Sequence, residues 1–364
     1  MAYAILKYEA LKNFSLAVFE KMGYTPDEAG IITDVLLTSD LYGIESHGMQ
    51  RMVRYYKSIK NGRLILGAQK EIVHETPISA VIDGHNGTGQ LLGHYAMSLA
   101  IEKAKKSGIG IVTVRNSNHY GIAGYYAKMA CKEGLMGFSC TNSEAIMVPT
   151  YSRMAMIGSN PIAVAFPAEP YDFLFDASTT VVTRGKVEVY NKKGAPLPEG
   201  WTVDANGNVG TDAADILANI EQKKGGGILP LGGSTELLGG HKGYGYGMLA
   251  EIFSSILSLG LTSNHTNIGS VGGTCHGFAA IDPSIFGDPE EIKKHFSAFL
   301  QELREAPKAE GQTRIYTHGE KEAEAVDRIM RDGIPVNENT IKEMALICDE
   351  YGVDMEKYLG KITY

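Results

Sequence analysis

The segment Ser46-His47-Gly48-Met49-Gln50-Arg51 sets an imidazole and a guanidinium four positions apart. Residues at that spacing are neighbours on one face of a helix. The segment reads as a helix's first turn with Ser46 as its N-cap. A histidine there exchanges a proton near neutral pH, and an arginine beside it grips a carboxylate through two parallel hydrogen bonds. Interconversion of a 2-hydroxy acid and a 2-keto acid needs both actions. The positive end of the helix dipole would disfavour imidazolium and keep His47 neutral, ready to act as a base.

Helical periodicity supports the pairing. Met49, Met52, Val53, Tyr56 and Ile59 fall on one side, whereas His47, Arg51, Arg54 and Ser58 project from the other. Polar helix faces most often meet water, so the pair does not define a site by itself.

Three later segments add candidates. Asn116-Ser117-Asn118-His119-Tyr120-Gly121 follows a strand read over Gly110 to Val114, at the carboxyl end where α/β proteins hold ligands. His119 is therefore a second acid/base candidate, placed where a cofactor would lie; the plainer reading is a loop histidine bonded to backbone. Asp176-Ala177-Ser178-Thr179-Thr180 ends another strand, with a carboxylate able to orient a histidine and hydroxyls able to hold phosphate or ribose oxygens. A capped helix start explains the same residues. Gly239-Gly240-His241-Lys242-Gly243-Tyr244-Gly245 opens the apolar run Met248 to Leu259. Free N–H groups at that helix start and the Lys242 ammonium make a phosphate or carboxylate site, unless the glycines serve close packing alone.

Gly87-Thr88-Gly89-Gln90-Leu91-Leu92-Gly93 imitates a dinucleotide fingerprint. The physics fits poorly, because the glycine turn should begin where the strand ends, and here Asp83-Gly84-His85-Asn86 intervenes. Arg115, after the next strand, imitates a 2'-phosphate ligand in the same way.

The elements that must position these residues divide the chain in three. Residues 1–72 read as helical, with the capping box Thr25-Pro26-Asp27-Glu28 opening one helix. Residues 73–287 form a mixed α/β core holding cofactor and substrate. Its strands are read over Ile78 to Ile82, Gly110 to Val114, Gly137 to Thr141, Ile162 to Phe166, Phe173 to Asp176, Val187 to Tyr190 and Gly277 to Ile281, with a helix from Tyr95 to Lys106. Residues 191–240, rich in Gly, Pro, Asn and Asp, read as a long surface excursion, mobile near Gly225-Gly226-Gly227. Residues 288–364 return to helices, over Glu290 to Arg304, Glu320 to Arg331 and Ile341 to Tyr351, which pack with the N-terminal segment.

Composition narrows the classes. A chain of 364 residues, 44% hydrophobic, buries a large core in two or three subdomains. Its net charge of -8 argues against a nucleic-acid or anionic-membrane surface, so an anionic substrate needs a locally positive pocket. Four scattered cysteines form neither a disulfide framework nor a zinc spacing. With no basic leader and no apolar run of about 20 residues, the expectation is a cytoplasmic protein that touches no membrane and uses no metal.

Taken in order, these segments resemble the malate/L-lactate dehydrogenase family of the second type, which also contains sulfolactate and ureidoglycolate dehydrogenases. The resemblance rests on Ser39-Asp40-Leu41, Ser46-His47-Gly48, Ser117-Asn118-His119-Tyr120-Gly121, Gly158-Ser159-Asn160-Pro161, Asp176 to Thr180, Gly185-Lys186, His241 to Gly245 and the Gly333-Ile334-Pro335 turn. It implies a homodimeric oxidoreductase using NAD or NADP, with a non-Rossmann nucleotide fold. By similarity, His47 and His119 are the acid/base candidates, Arg51 the substrate clamp and Asp176 the partner that orients His47. Ser143, Ala177, Ser178, Thr179 and Lys242 would contact the cofactor. Two stretches depart from the pattern: Tyr42 and Glu45 stand where many relatives have Arg and Asp, and Val271-Gly272-Gly273-Thr274 replaces a more polar stretch.

The reading is hydride transfer between nicotinamide and a small 2-hydroxy or 2-keto acid, with (S)-malate and oxaloacetate as the first guess. Reduction of a cyclic imine acid or a sugar-derived keto acid is the alternative within enzymes, and a dinucleotide-binding regulator without catalysis is the alternative outside them. NAD and NADP are not distinguished.

Overall fold

The computed structural model describes residues 2–266 and 272–364. At its centre, among the described residues, seven strands form one mixed sheet. Their order is Glu71–Glu75, Ser79–Asp83, Ile109–Ser117, Thr274–Ile281, Met136–Thr141, Ile162–Phe166 and Phe173–Ala177. Ser79–Asp83 and Ile109–Ser117 run parallel, and the other neighbours are antiparallel. A doubly wound nucleotide fold needs successive parallel strands around a switch point. This α/β sheet is therefore not a Rossmann fold.

Helices Gly89–Ser107 and Ala123–Lys132 cover one face of the sheet with small residues, among them Ala96, Ala100, Ala104, Ala127 and Ala130. The approach is close. A Cβ on Gly110 would lie 2.0 Å from the Ala100 carbonyl oxygen, and one on Gly137 2.0 Å from that of Ala127. The imitation fingerprint belongs to the same packing: a Cβ on Gly89 would meet the Asn118 carbonyl at 2.2 Å, and one on Gly93 the Tyr126 ring at 2.8 Å. Arg115 is held by Asp83 at 2.9 Å and the Ser258 carbonyl at 3.3 Å.

A second core joins the two ends of the chain. Leu11, Phe14, Phe19, Ile32, Leu36 and Met52 pack with Ile329, Ile334, Ile341, Met344 and Ile347. The Thr25 capping box opens the helix Pro26–Leu41 as expected. Strand Tyr3–Leu6 pairs antiparallel with Ile334–Asn337, where the sequence reads a helical start and a turn. Of the C-terminal helices, Pro289–Glu305 packs elsewhere. Its Phe296 meets Phe166 and Phe173 at the far edge of the sheet.

The structure departs from the sequence reading just before the excursion and again within it. Val187 to Tyr190, read as a strand, lies in the helix Arg184–Lys193, which ends on the left-handed Gly194 and buries Val187 beside the partly buried Tyr190, one helical turn on. Side-chain packing at helical spacing has overridden the β preference of valine. The glycines at 225–227 are anchored rather than loose: Gly226 donates to the Arg153 carbonyl at 2.7 Å, and all three have positive φ against neighbouring backbone. Leu197, Val203, Ile216, Ile220 and Ile228 give the excursion buried cores of its own.

The run Met248 to Leu259 is the end of helix Gly240–Glu251 and a π-helical turn, Ile252–Ile256. Ala250, Ser254 and Ser255 face inward, while Leu249, Ile252, Ile256 and Leu257 remain exposed.

Candidate active site

Helix Met52–Lys60 begins later than the sequence suggests. Glu45–His47 and Met49–Arg51 are single 3₁₀ turns before it, so Ser46 is not the N-cap and His47 is not in a helical first turn. The cause lies beneath the turn. Asp40, buried at the end of helix Pro26–Leu41, accepts the Met49 N–H at 2.9 Å. Its carboxylate lies so near Gly48 that a Cβ there would be 1.8 Å from Oδ1. Burial pushes the Asp40 carboxyl up to about 8, against the pull of the Met49 N–H. A glycine and a buried acceptor thus kink the chain between His47 and Arg51.

The kink still brings the expected residues together. Ser46 Oγ lies 2.9 Å from His47 Nδ1, and Arg51 Nε donates to the Ser46 carbonyl at 2.5 Å. The rings of His47 and His119 stack with centroids 5.5 Å apart and planes 28° apart. Tyr55, a residue the sequence reading passes over, places its hydroxyl 2.9 Å from His119 Nδ1, and the Gly121 N–H approaches that nitrogen at 3.4 Å. Because the Gly121 N–H donates to Nδ1, the neutral ring carries its proton on Nε2.

Both imidazoles are biased toward the neutral form. Burial brings His47 down to about 3, with Arg51 and then Arg54 acting in the same direction. Burial also holds His119 well below its ordinary value, followed by the charges of Arg54, His47 and Arg51. Neutrality comes from desolvation and guanidinium charge, not from the helix dipole that the sequence invokes. Among the described residues, no carboxylate pairs with Arg51 or Arg54. Two guanidiniums without a carboxylate partner thus lie beside two neutral bases, an arrangement that suits an anion.

The loop carrying His119 rests on a buried aromatic stack that the sequence did not reveal. His276, fully buried, lies 2.8 Å from Ser117 Oγ through Nε2 and 2.8 Å from Thr141 Oγ1 through Nδ1. Its ring stacks on Tyr120 at 4.2 Å, and Tyr120 stacks on Tyr126 at 4.6 Å. Burial takes His276 down to about 3. With both nitrogens engaged, it braces the loop.

Asp176, expected to orient His47, instead accepts the Gly124 N–H at 2.7 Å, at the start of helix Ala123–Lys132. Burial raises its carboxyl to about 6 against that bond. It lines a cavity of about 240 Å³ with Tyr42, Ile44, His318 and Glu322. Of the departures from the family pattern, Tyr42 is in that cavity, while Glu45 accepts Asn337 Nδ2 at 2.6 Å. Val271 lies outside the described residues.

The remaining candidates gather on a second shelf. Ser143 Oγ accepts the Ser159 N–H at 3.1 Å, and Thr179 donates to the Ser159 carbonyl through N–H at 2.9 Å and Oγ1 at 3.0 Å. Ala177 ends the sheet's edge strand, paired with Ile162, and Ser178 follows it. The Leu231 N–H donates to the Thr179 carbonyl at 3.0 Å, drawing the segment before helix Gly240–Glu251 against this loop. Lys242 is in that helix's first turn with no carboxylate partner among the described residues. Behind the shelf, buried Glu251 accepts from Asn160 Nδ2 at 2.8 Å, Ser255 Oγ at 2.8 Å, and Ser263 N–H and Oγ at 2.8 and 2.7 Å. The Lys242 ammonium at a helix start and the part-buried hydroxyls of Ser143 and Ser178 are groups of the kind that hold phosphate and ribose oxygens.

Neutral bases beside guanidiniums without a carboxylate partner fit an NAD(P)-dependent oxidoreductase acting on 2-hydroxy acids, and the relatives of the chain place it in that class. The chain belongs to the malate/L-lactate dehydrogenase family, whose model matches residues 6–345. It is 43% identical over 354 residues to a malate dehydrogenase of Pyrococcus abyssi, covering 96% of each chain. It is 36% identical to an L-sulfolactate dehydrogenase of Methanocaldococcus jannaschii, covering 98% of this chain and 99% of that one. The solved structure of malate dehydrogenase from Pyrococcus horikoshii superimposes with a TM-score of 0.88 at 40% identity, over 97% of both chains. No helix among the described residues is long and apolar enough to cross a membrane.

Proposed function

We propose that the protein interconverts (S)-malate and oxaloacetate, with His47 as the group that moves the proton and Arg51 as the clamp on the carboxylate beside the reacting carbon. The observation that carries this reading is the neutral, stacked pair His47 and His119 beside an Arg51 whose terminal nitrogens lack a carboxylate. The names of similar proteins support malate as the substrate.

A nicotinamide dinucleotide would, when bound, supply or receive the hydride. In oxidation, His47 accepts the hydroxyl proton at its free nitrogen while Ser46 holds the other. In reduction, the same ring returns the proton to the carbonyl oxygen. Arg51 fixes the substrate carboxylate and so determines which face of the reacting carbon is presented. His119, held by Tyr55, orients the substrate oxygen and closes the site against the cofactor. Ser143, Ala177, Ser178, Thr179 and Lys242 hold the dinucleotide.

The site works in a dimer, and Leu249, Ile252, Ile256 and Leu257 form part of the contact. Their exposure on one helix end supports this, because clustered exposed apolar side chains mark association surfaces. Four free, buried cysteines are consistent with a reducing cytoplasm.

Initial rates of NADH and NADPH oxidation against oxaloacetate, pyruvate, sulfopyruvate and a cyclic imine acid test the substrate. Oxaloacetate should show the highest kcat/KM. A higher value for the imine acid, or dinucleotide binding with no turnover of any of the four, overturns the reading. Sedimentation at assay concentration should show a dimer; a fully active monomer contradicts the assembly.

A further inference from the structure

Arg54 and Ser58 lie on the polar face of helix Met52–Lys60, beyond Arg51, and the proton-transfer chemistry leaves them unused. Positions three and four apart on a helix have Cβ atoms about 5–6 Å from one another. Arg51, Arg54 and Ser58 therefore form a row leading away from the reacting centre. Together with Tyr55, Arg63 and His119, Arg54 and Ser58 line a small cleft that opens beside the stacked imidazoles.

Arg54, on the exposed side of the helix, is not tied down by a partner: among the described residues it makes neither an ion pair nor a hydrogen bond. A guanidinium without a counter-ion near Arg51 adds repulsion there, and its charge reaches both His47 and His119. An anion bound between them removes that repulsion. A single carboxylate already engages Arg51, so the second cation is matched by a second acidic group on the same small molecule.

We infer that Arg54, with the Ser58 hydroxyl beside it, is the specificity-determining clamp for the distal acidic arm of the substrate, so that the site takes dianionic 2-keto acids in preference to monoanionic ones. The inference rests on the proposed function, in which Arg51 holds the carboxylate next to the reacting carbon. Arg51 and Arg54, three positions apart, offer one guanidinium to each acid group of a small diacid. A planar guanidinium binds a carboxylate or a sulfonate by paired hydrogen bonds, so the recognised chemistry is a second oxyanion rather than one particular acid.

The test is the ratio of kcat/KM for oxaloacetate to that for pyruvate, measured on the full-length protein with NADH and NADPH. In the unaltered protein the ratio should be well above one. Arg54→Gln should lower it by roughly 10- to 100-fold, mainly through the KM for oxaloacetate. Arg54→Lys should give an intermediate ratio, because the charge is kept while the planar fork is lost. Ser58→Ala should lower the ratio by a smaller factor. A ratio near one in the unaltered protein, or one unmoved in Arg54→Gln, overturns the inference while leaving the proposed activity standing. Absence of turnover of every 2-keto acid overturns that activity instead.

Discussion

The imidazoles of His47 and His119 stack 5.5 Å apart, beneath a field in which Arg51 and Arg54 disfavour a charge on either ring. Two rings so placed titrate as a pair, and the second proton is strongly opposed. The pair is therefore biased to the neutral form at neutral pH, and an anion that offsets the arginines favours its protonation.

Proton uptake should accompany diacid binding. His47 starts near 3, and a bound dianion raises it toward neutrality, so uptake should grow, and affinity should strengthen, as pH falls from 8 toward about 6.5, where malonate is still a dianion. Calorimetric titration of malonate into the NADH complex, in buffers of different ionisation enthalpy, measures it. No uptake anywhere in that range would show that the arginines do not set the protonation of the pair.

Asp40 is predicted to hold the spacing between His47 and Arg51 through the Met49 N–H. Asp40→Ala leaves that buried donor without a partner and should cost about 1–3 kcal/mol, with a loss of turnover. Asp40→Asn keeps an acceptor and should restore much of both. Because the folded-state value, about 8, is above the unfolded one, the folded protein binds the extra proton and this group's contribution to stability declines as pH rises from about 4 to 8. Urea midpoints at pH 5 and pH 8 should show that decline, and Asp40→Asn should lack this component. An identical pH dependence in the asparagine variant would contradict the assignment.

Lys242→Ala should raise the Kd for the dinucleotide by roughly 10-fold and affect the chemical step less, since the ammonium is proposed to meet the cofactor at a helix start. Fluorescence titration with NADH and NADPH reads it directly. An unaltered Kd for both would leave His241 to Gly245 as packing glycines around a surface lysine; Gly243, whose Cβ would lie 2.2 Å from the Leu231 carbonyl, already has such a role.

Much of the fold was legible because its signals are local. The Thr25 capping box, the short β-branched strands and the periodic C-terminal helices each carry their pattern within a few residues. Strand Tyr3–Leu6 was not legible: four residues without alternation take their structure from Ile334–Asn337 at the other end of the chain. The site divides in the same way. His47, Arg51 and His119 announce themselves by type and spacing. Tyr55 and His276 act through contacts distant in sequence, and Asp40 through a backbone N–H beyond the end of its own helix, none of which a local pattern carries. The kink before Met52 escaped for the same reason, since its cause is a carboxylate on the preceding helix.

The central claim is that His47 moves the proton, and single-turnover hydride transfer from NADH to oxaloacetate tests it most directly. His47→Asn should slow that step by roughly 10²–10⁴-fold and abolish the pH dependence due to its titration, while His119→Asn should chiefly weaken ligand binding. A large loss of the chemical step in His119→Asn, with His47→Asn close to the unaltered protein, would contradict the account and give the proton to His119.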